Sequence, residues 1–308
     1  MKRLALAVLS RVGRALRHTP LAKWRWLGHL HGKMTSRLGN ADNIAVGEFR
    51  VSADPRDEVI TKKLILYGEF EGREIALLCS FTRPGDCALD VGANIGLYTL
   101  ALSRAVGPDG HVIAVEPDPD NLALLRKNLK TNNCNNVTVI EEALGNECKI
   151  AKLYQSPDNR GALSTADVFG VGEVNAISIR MRRADDVFIQ TGRSPRIAKI
   201  DVEGQEPLVI AGMGSHLPDV LLFEFMPTHL RSAGHDPSRF LEEIQGLGYS
   251  LSLVLAETGE RCEMTLDAIV QTAEAATSVS NILALRARNQ RERRPAIQGM
   301  DEHELLPT

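Results

Sequence analysis

The chain has 308 residues, 44% of them hydrophobic and 24% charged, an ordinary globular balance that excludes a collagen-like, wholly disordered or disulfide-stapled protein. A net charge of −3 gives no chain-wide basic field, so no nucleic-acid partner is expected. The average conceals an asymmetry: residues 1–40 hold nine Lys or Arg and no Asp or Glu, which leaves −12 on residues 41–308.

Placed on a helix, Leu4, Val8, Leu9, Val12, Ala15 and Leu16 share one face, while Arg3, Arg11, Arg14 and Arg17 crowd towards the other. This basic leader reads either as a helix docked on its own domain or as a weak contact between residues 1–35 and an anionic membrane surface. No apolar run approaches the roughly 18 residues that span a bilayer. Five cysteines without a CxxC pair are read as reduced thiols of a cytoplasmic protein, peripheral at the inner membrane surface if the leader binds there.

Residues 41–86 begin with short β-like pieces, continue through the mixed stretch Glu58–Glu71, and read as an N-terminal extension of the domain that follows. From about residue 87 to 286, β-rich runs alternate with helical stretches, the pattern of an α/β fold with a largely parallel sheet. Seven strands are expected: Cys87–Val91, His111–Glu116, Val137–Ile140, Arg196–Asp201, Asp219–Phe225, Tyr249–Leu255 and Asn281–Arg286. Asp118-Pro119 and Asp236-Pro237 each set an N-cap acceptor before a proline at the first helical position. The apolar stripes Leu122, Leu124, Leu125, Leu129 and Phe240, Leu241, Ile244, Leu247 follow them as core. The alternating run Ile177 to Asp186 reads as an additional strand, and residues 287–308 as a disordered tail.

The first strand runs into Asp90-Val91-Gly92-Ala93-Asn94-Ile95-Gly96 and then a helix. Gly92 and Gly96 let the backbone turn tightly and approach a ligand. Asn94 stands where G-x-G-x-x-G has its second glycine, and Asp90 adds negative charge where pyrophosphate oxygens would lie, so NAD is disfavoured. An aspartate here suits a ligand with a cationic amino group. Glu116 ends the second strand 24 residues after Gly92, where an acid of this fold accepts ribose hydroxyls. An adenosyl ligand with a free ribose and no pyrophosphate fits both acids, and S-adenosylmethionine is the common one.

Asp90 to Gly96, then Val115-Glu116-Pro117, and later Lys199-Ile200-Asp201-Val202-Glu203-Gly204 resemble the FkbM family of class I S-adenosylmethionine-dependent methyltransferases. The resemblance runs from about Gly68 to Leu285. It implies a Rossmann-like, seven-stranded, mostly parallel sheet with helices on both faces and a reversed last strand, S-adenosyl-L-methionine as cofactor, and methyl transfer, commonly to an oxygen. It places Asp90, Gly92, Asn94 and Gly96 around the methionine part and Glu116 at the ribose. Phe70 and Glu71, in the aromatic-acid element Gly68-Glu69-Phe70-Glu71, border the cofactor site in the same comparison. The adenine would lie near Glu141, Glu142 and Ala143, where alternation lets only one of the two glutamates point inward.

Oxygen methylation needs alignment of a hydroxyl with the methyl group and a base for its proton. Asp201 is the leading base, with Glu203 and Glu224 converging on the same rim so that repulsion raises at least one pKa. Glu203 has an alternative role as a cap for a helix over Gln205–Met213, and His229 is an alternative base. These carboxylates and carbonyls offer oxygen ligands of the kind that suit a divalent ion such as Mg²⁺, but no His or Cys cluster supports a transition metal, and no metal is assigned. Asn159 and Arg160, in the polar loop Gln155–Ala162, would bind a small-molecule or glycan acceptor, or are surface turn residues. The expected function is O-methylation of a sugar or natural-product hydroxyl. The competing function is a scaffold that binds the cofactor and transfers nothing.

Overall fold

A computed structural model describes residues 41–157, 159–256, 258–276 and 279–286. The expected basic leader over residues 1–40 and the tail over 287–308 lie outside the described residues. In chain order, a hairpin of β1 (Ile44–Val46) and β2 (Phe49–Val51) precedes α1 (Ile60–Tyr67) and α2 (Gly72–Ser80). Then come β3 (Cys87–Val91), α3 (Leu97–Val106), β4 (His111–Val115), α4 (Pro119–Thr131) and β5 (Val137–Ile140). The next segment holds β6 (Ala143–Gly145), β7 (Lys149–Gln155), β8 (Leu163–Ser164), β9 (Ile177–Arg183) and α5 (Ala184–Thr191). The chain continues through β10 (Ile197–Ile200), α6 (Glu206–Gly212), β11 (Val220–Phe225), α7 (Pro227–Ser232) and α8 (Pro237–Gly246). It closes with β12 (Tyr249–Val254), β13 (Arg261–Cys262), α9 (Leu266–Ala275) and β14 (Ser280–Arg286).

The large sheet has the order β13-β12-β14-β11-β10-β3-β4-β5. All seven expected strands are in it, and β14 runs antiparallel to both β11 and β12 while β10, β3, β4 and β5 pair in parallel. The two-residue β13 adds an eighth strand at the edge, too short to leave a periodic signal. Helices cover both faces, so β10 and β11 are buried along their whole length. Both expected caps are present: Asp118 accepts from the Asn121 N–H and Asp236 from the Arg239 N–H, each before a proline. Helix α8 ends at Gly246, so Leu247 leaves the expected stripe and is exposed.

A second sheet, β6-β9-β7-β8, packs beside the first. Only β9 was expected, and it stops at Arg183. Asp185 and Asp186 instead occupy the first turn of α5, where the helix dipole favours acidic side chains. The N-terminal hairpin and α1 share apolar core with the sheet, since Val51, Ile60 and Leu64 pack with Ile95, Leu100 and Leu125. Asn128 of α4 clamps this junction, its amide donating to the Ser52 and Ile95 carbonyls at 2.9 and 2.8 Å.

Strand order reverses between β3 and β10, because the chain builds β3, β4 and β5 to one side and returns to add β10 on the other. That switch point opens a crevice at the carboxyl ends of the strands. Register places Asp90 beside Lys199 and Glu224 beside Asn281, with Lys199 level with Leu222. The two-residue period then brings Asp90, Lys199, Glu224 and Asn281 onto one face of the sheet. Among the described residues, no helix is long and apolar enough to cross a membrane.

Candidate active site

The crevice has a volume of about 1210 Å³ and takes its walls from both sides of the switch point. On the β4 side the wall is the glycine turn. Gly92 has φ 78°, and a Cβ there would lie 1.9 Å from the Asp201 carbonyl oxygen, so the close approach of β3 and β10 requires glycine. The Gly92 and Ala93 N–H groups donate to the Val115 carbonyl at 3.0 and 2.9 Å. Glu116 accepts from the Asn94 N–H at 2.7 Å and from the Asp118 N–H at 2.9 Å, using one carboxylate oxygen for each. Each oxygen keeps lone-pair capacity, and Glu116 lines the crevice. Burial pushes its carboxyl up to about 7, against the pull of those two N–H groups.

The facing wall is charged. Lys199 is 1% exposed, and its Nζ lies 3.1 Å from Asp201 Oδ2, 3.4 Å from Asn281 Oδ1 and 5.2 Å from the Tyr98 ring centre. Burial alone would lower its pKa, but the Asp201, Glu71 and Glu224 carboxylates hold the ammonium above its usual range. The Tyr98 hydroxyl donates to Glu71 at 3.0 Å, and burial pushes the Glu71 carboxyl up to about 7 against the pull of Lys199. Glu224 is raised well above the carboxylate range, chiefly by burial and then by Glu203 and Asp201 beside it. Repulsion among the three rim acids therefore acts as expected on Glu224, but second to burial.

After β10 the backbone makes a strained turn, with Glu203 at φ 53° and Gly204 at φ 92°. A Cβ on Gly204 would lie 2.8 Å from the His229 backbone, so the turn packs directly on α7. This brings His229 Nδ1 to 2.8 Å from Glu203 Oε2. The Glu203 side chain is therefore engaged by His229, and Glu206 accepts the Val202 and Gly204 N–H groups at 3.1 and 3.3 Å. The capping role expected of Glu203 does not arise, since α6 starts after Gln205 without a side-chain cap. Donor atoms of Glu203, Glu224 and His229 lie within 4.8 Å of one another, so an imidazole joins two of the carboxylates that the sequence reading had considered for a divalent ion.

The crevice gathers most of the expected site residues. Of the residues expected at the cofactor, Phe70, Glu71, Gly92, Asn94, Glu116 and Ala143 line it. Asn159, Asp201, Glu203 and Glu224 line it elsewhere. Four expected residues are not on its wall. Asp90, one residue before the end of β3 and beside Lys199, is 1% exposed and accepts from the Thr99 hydroxyl at 2.5 Å; burial pushes its carboxyl up to about 6. Gly96 instead serves packing, since a Cβ there would lie 2.6 Å from Leu125 Cδ1.

Glu142 is drawn to the second sheet, where its carboxylate lies 2.8 and 3.3 Å from Arg180 and Arg182, and Glu141 pairs with Arg126. Neither glutamate faces the crevice, and Ala143 alone of the three lines it. Arg160 is held by Asp54 at 3.1 Å and Asp120 at 3.2 Å. Its loop is pinned to the glycine turn by the Asn94 amide, which donates to the Gly161 carbonyl at 3.0 Å. Lys199, Tyr98 and Asn281 were missed. A lysine inside an apolar strand, two residues before Asp201 and so on the same face, was the available signal for the first.

A solved S-adenosylmethionine-dependent O-methyltransferase of Thermotoga maritima is 12% identical, with a TM-score of 0.42 over 73% of this chain and 70% of that one. Hexuronic acid methyltransferase AglP of Haloferax volcanii is 30% identical over 165 residues, 53% of this chain and 63% of its own length. Arsenite methyltransferase of Halobacterium salinarum is 33% identical over 73 residues, 22% of this chain and 19% of its own. The chain thus spans less than two thirds of the length of either curated relative. The family described as the methyltransferase FkbM domain matches residues 90–251, more than half of the chain, and the chain belongs to that family.

Proposed function

We propose that this FkbM-family methyltransferase is an S-adenosylmethionine-dependent O-methyltransferase acting on a hydroxyl of a sugar, a glycan or another oxygen-rich small molecule. The observation that carries the proposal is the opposition, across the ends of β3 and β10, of the glycine turn with Glu116 on one wall and Asp201, Glu203 and Glu224 on the other. The donor set fits the cofactor. Glu116 is a buried carboxylate with lone-pair capacity left for two ribose hydroxyls, and carboxylates, rather than phosphate-binding cations, stand beside the turn. Bound S-adenosylmethionine supplies a methyl group on a cationic sulfonium, which an acceptor oxygen takes as neutral S-adenosylhomocysteine and one proton are released.

Asp201 receives that proton. Lys199 holds its Oδ2 at 3.1 Å and so orients the carboxylate without occupying the crevice, Lys199 itself being buried beneath the wall. Alignment supplies much of the rate, and the base contributes about 10²–10⁴-fold. Similarity to a hexuronic acid methyltransferase supports a sugar acceptor. Residues 41–286 form the catalytic unit, because the N-terminal hairpin and α1 share core with the glycine turn. A cytoplasmic location, with residues 1–35 in weak contact with an anionic membrane surface, completes the proposal and rests on sequence alone.

The test is transfer from methyl-labelled cofactor to a panel of sugars and sugar acids, followed by alkaline hydrolysis. Label that survives alkali is an ether and supports hydroxyl methylation. Label released by alkali is a carboxylate ester and contradicts it. No labelled product from a protein that binds S-adenosylhomocysteine would favour the scaffold role.

A further inference from the structure

The charged wall holds a feature that proton transfer by Asp201 does not use. Glu224 is 4% exposed, its Oε2 is buried without a hydrogen-bond partner, and the residue lines the crevice. Leaving a buried carboxylate oxygen unpaired is unfavourable unless a ligand completes it. Glu203 stands on the same wall, and His229 Nδ1 lies 2.8 Å from Glu203 Oε2. The donor atoms of the three lie within 4.8 Å of one another.

We infer that Glu203, Glu224 and His229 form a site for a divalent first-row cation of the manganese class, at the acceptor end of the crevice. Metal–oxygen and metal–nitrogen bonds of about 2.0–2.2 Å require donors roughly 3–4 Å apart, so small side-chain rotations close the set. Two carboxylates with one imidazole suit Mn²⁺, Fe²⁺ or Zn²⁺ better than Mg²⁺ or Ca²⁺, which favour oxygen ligands throughout. The local charge favours a cation as well: Glu71, Asp201 and Glu224 crowd the buried ammonium of Lys199, and Glu203 stands beside Glu224. Support for the ligands is already in place. The Ser164 hydroxyl donates to the Glu203 carbonyl at 2.9 Å, and the Phe169 ring meets the His229 imidazole edge-on at 5.5 Å between centroids. Such outer contacts orient metal ligands.

Because both carboxylates line the crevice, the cation's remaining positions face the acceptor. Its role in the reaction rests on the methyl-transfer function proposed above: it would hold two neighbouring acceptor oxygens beside Asp201. That narrows the acceptor to vicinal diols and hydroxy acids.

The experiment is a titration of the full 308-residue chain with MnCl₂, reading free Mn²⁺ by its electron paramagnetic resonance signal. S-adenosylhomocysteine binding is measured by calorimetry on the same preparations. One Mn²⁺ should bind per chain, with affinity at least about 10-fold weaker in Glu224→Gln and in His229→Ala. Asp120→Asn, at an exposed acid paired with Arg56, should retain the wild-type affinity. If Glu224→Gln loses its folded circular dichroism, Glu203→Gln takes its place. No stoichiometric Mn²⁺ binding by the wild type, or undiminished binding in the ligand variants, overturns the site. Failure of the wild type to bind S-adenosylhomocysteine would count against the functional proposal, whichever way manganese falls.

Discussion

On the β4 side of the crevice the polar groups already have partners. Glu116 takes N–H groups from Asn94 and Asp118, and the glycine turn hangs from the Val115 carbonyl. On the β10–β11 side the polar groups are side chains in competition: Lys199 is shared among carboxylates, Glu203 sits at φ 53°, and Glu224 keeps an unpartnered oxygen. A wall of backbone donors and satisfied acceptors is organised before its ligand arrives and loses little entropy on binding. A wall of crowded, perturbed acids holds charge and strain that chemistry can use. On the proposed function, the contrast divides the crevice into a binding half and a reacting half, and substitutions in each should fail differently.

The largest effect is expected in the reacting half. Asp201→Asn should lower turnover about 10²–10⁴-fold while S-adenosylhomocysteine affinity, read by calorimetry, stays at the wild-type value. Full activity in that variant would remove Asp201 as the base. Next comes the seam where the halves meet. Gly92→Val adds a Cβ at a point 1.9 Å from the Asp201 carbonyl oxygen and at φ 78°, so the urea midpoint should fall by the equivalent of about 2–4 kcal/mol. A wild-type midpoint would mean that β3 and β10 do not close as described.

Glu116 probes the binding half. In the role proposed for it, only its ionised form accepts from both ribose hydroxyls, and burial pushes its carboxyl up to about 7. Affinity for S-adenosylhomocysteine should therefore rise about 10-fold from pH 6 to pH 8 as the group ionises. Glu116→Gln should bind about 10-fold more weakly at pH 8 and lose this pH dependence; a wild-type pH profile in the variant would assign the titration to another group. The smallest effect is expected outside both halves. Arg160→Ala removes a half-buried ion pair with Asp54 and an exposed one with Asp120 and should cost about 1 kcal/mol in urea unfolding. A raised acceptor KM in Arg160→Ala would restore Arg160 to the substrate site.

What was legible in the sequence was local or strand-bound. The seven strands, the Asp118 and Asp236 caps, and Glu116 at the end of a strand after a glycine turn each depend on residues a few positions apart. The surroundings of the other candidate residues were decided by partners far along the chain. Glu142 is taken by Arg180 and Arg182, Arg160 by Asp54 and Asp120, and Glu203 by His229; no spacing rule relates those positions. Asp90 is the intermediate case. Its strand was clear, but its position below the crevice depended on the register with β10, where it stands beside Lys199. Within the second sheet, β6 and β8 were hidden because they have only three and two residues, too few for a periodic signal.

The most direct test of the central claim is a calorimetric titration of the full chain at pH 8 with S-adenosylhomocysteine, with NAD and the Glu116→Gln variant run beside it. A binding half built around Glu116 predicts micromolar affinity for S-adenosylhomocysteine, no heat with NAD, and weakened binding in the variant. Binding of NAD in preference, or equal affinity in wild type and Glu116→Gln, would contradict the assignment of that wall to an adenosyl ribose.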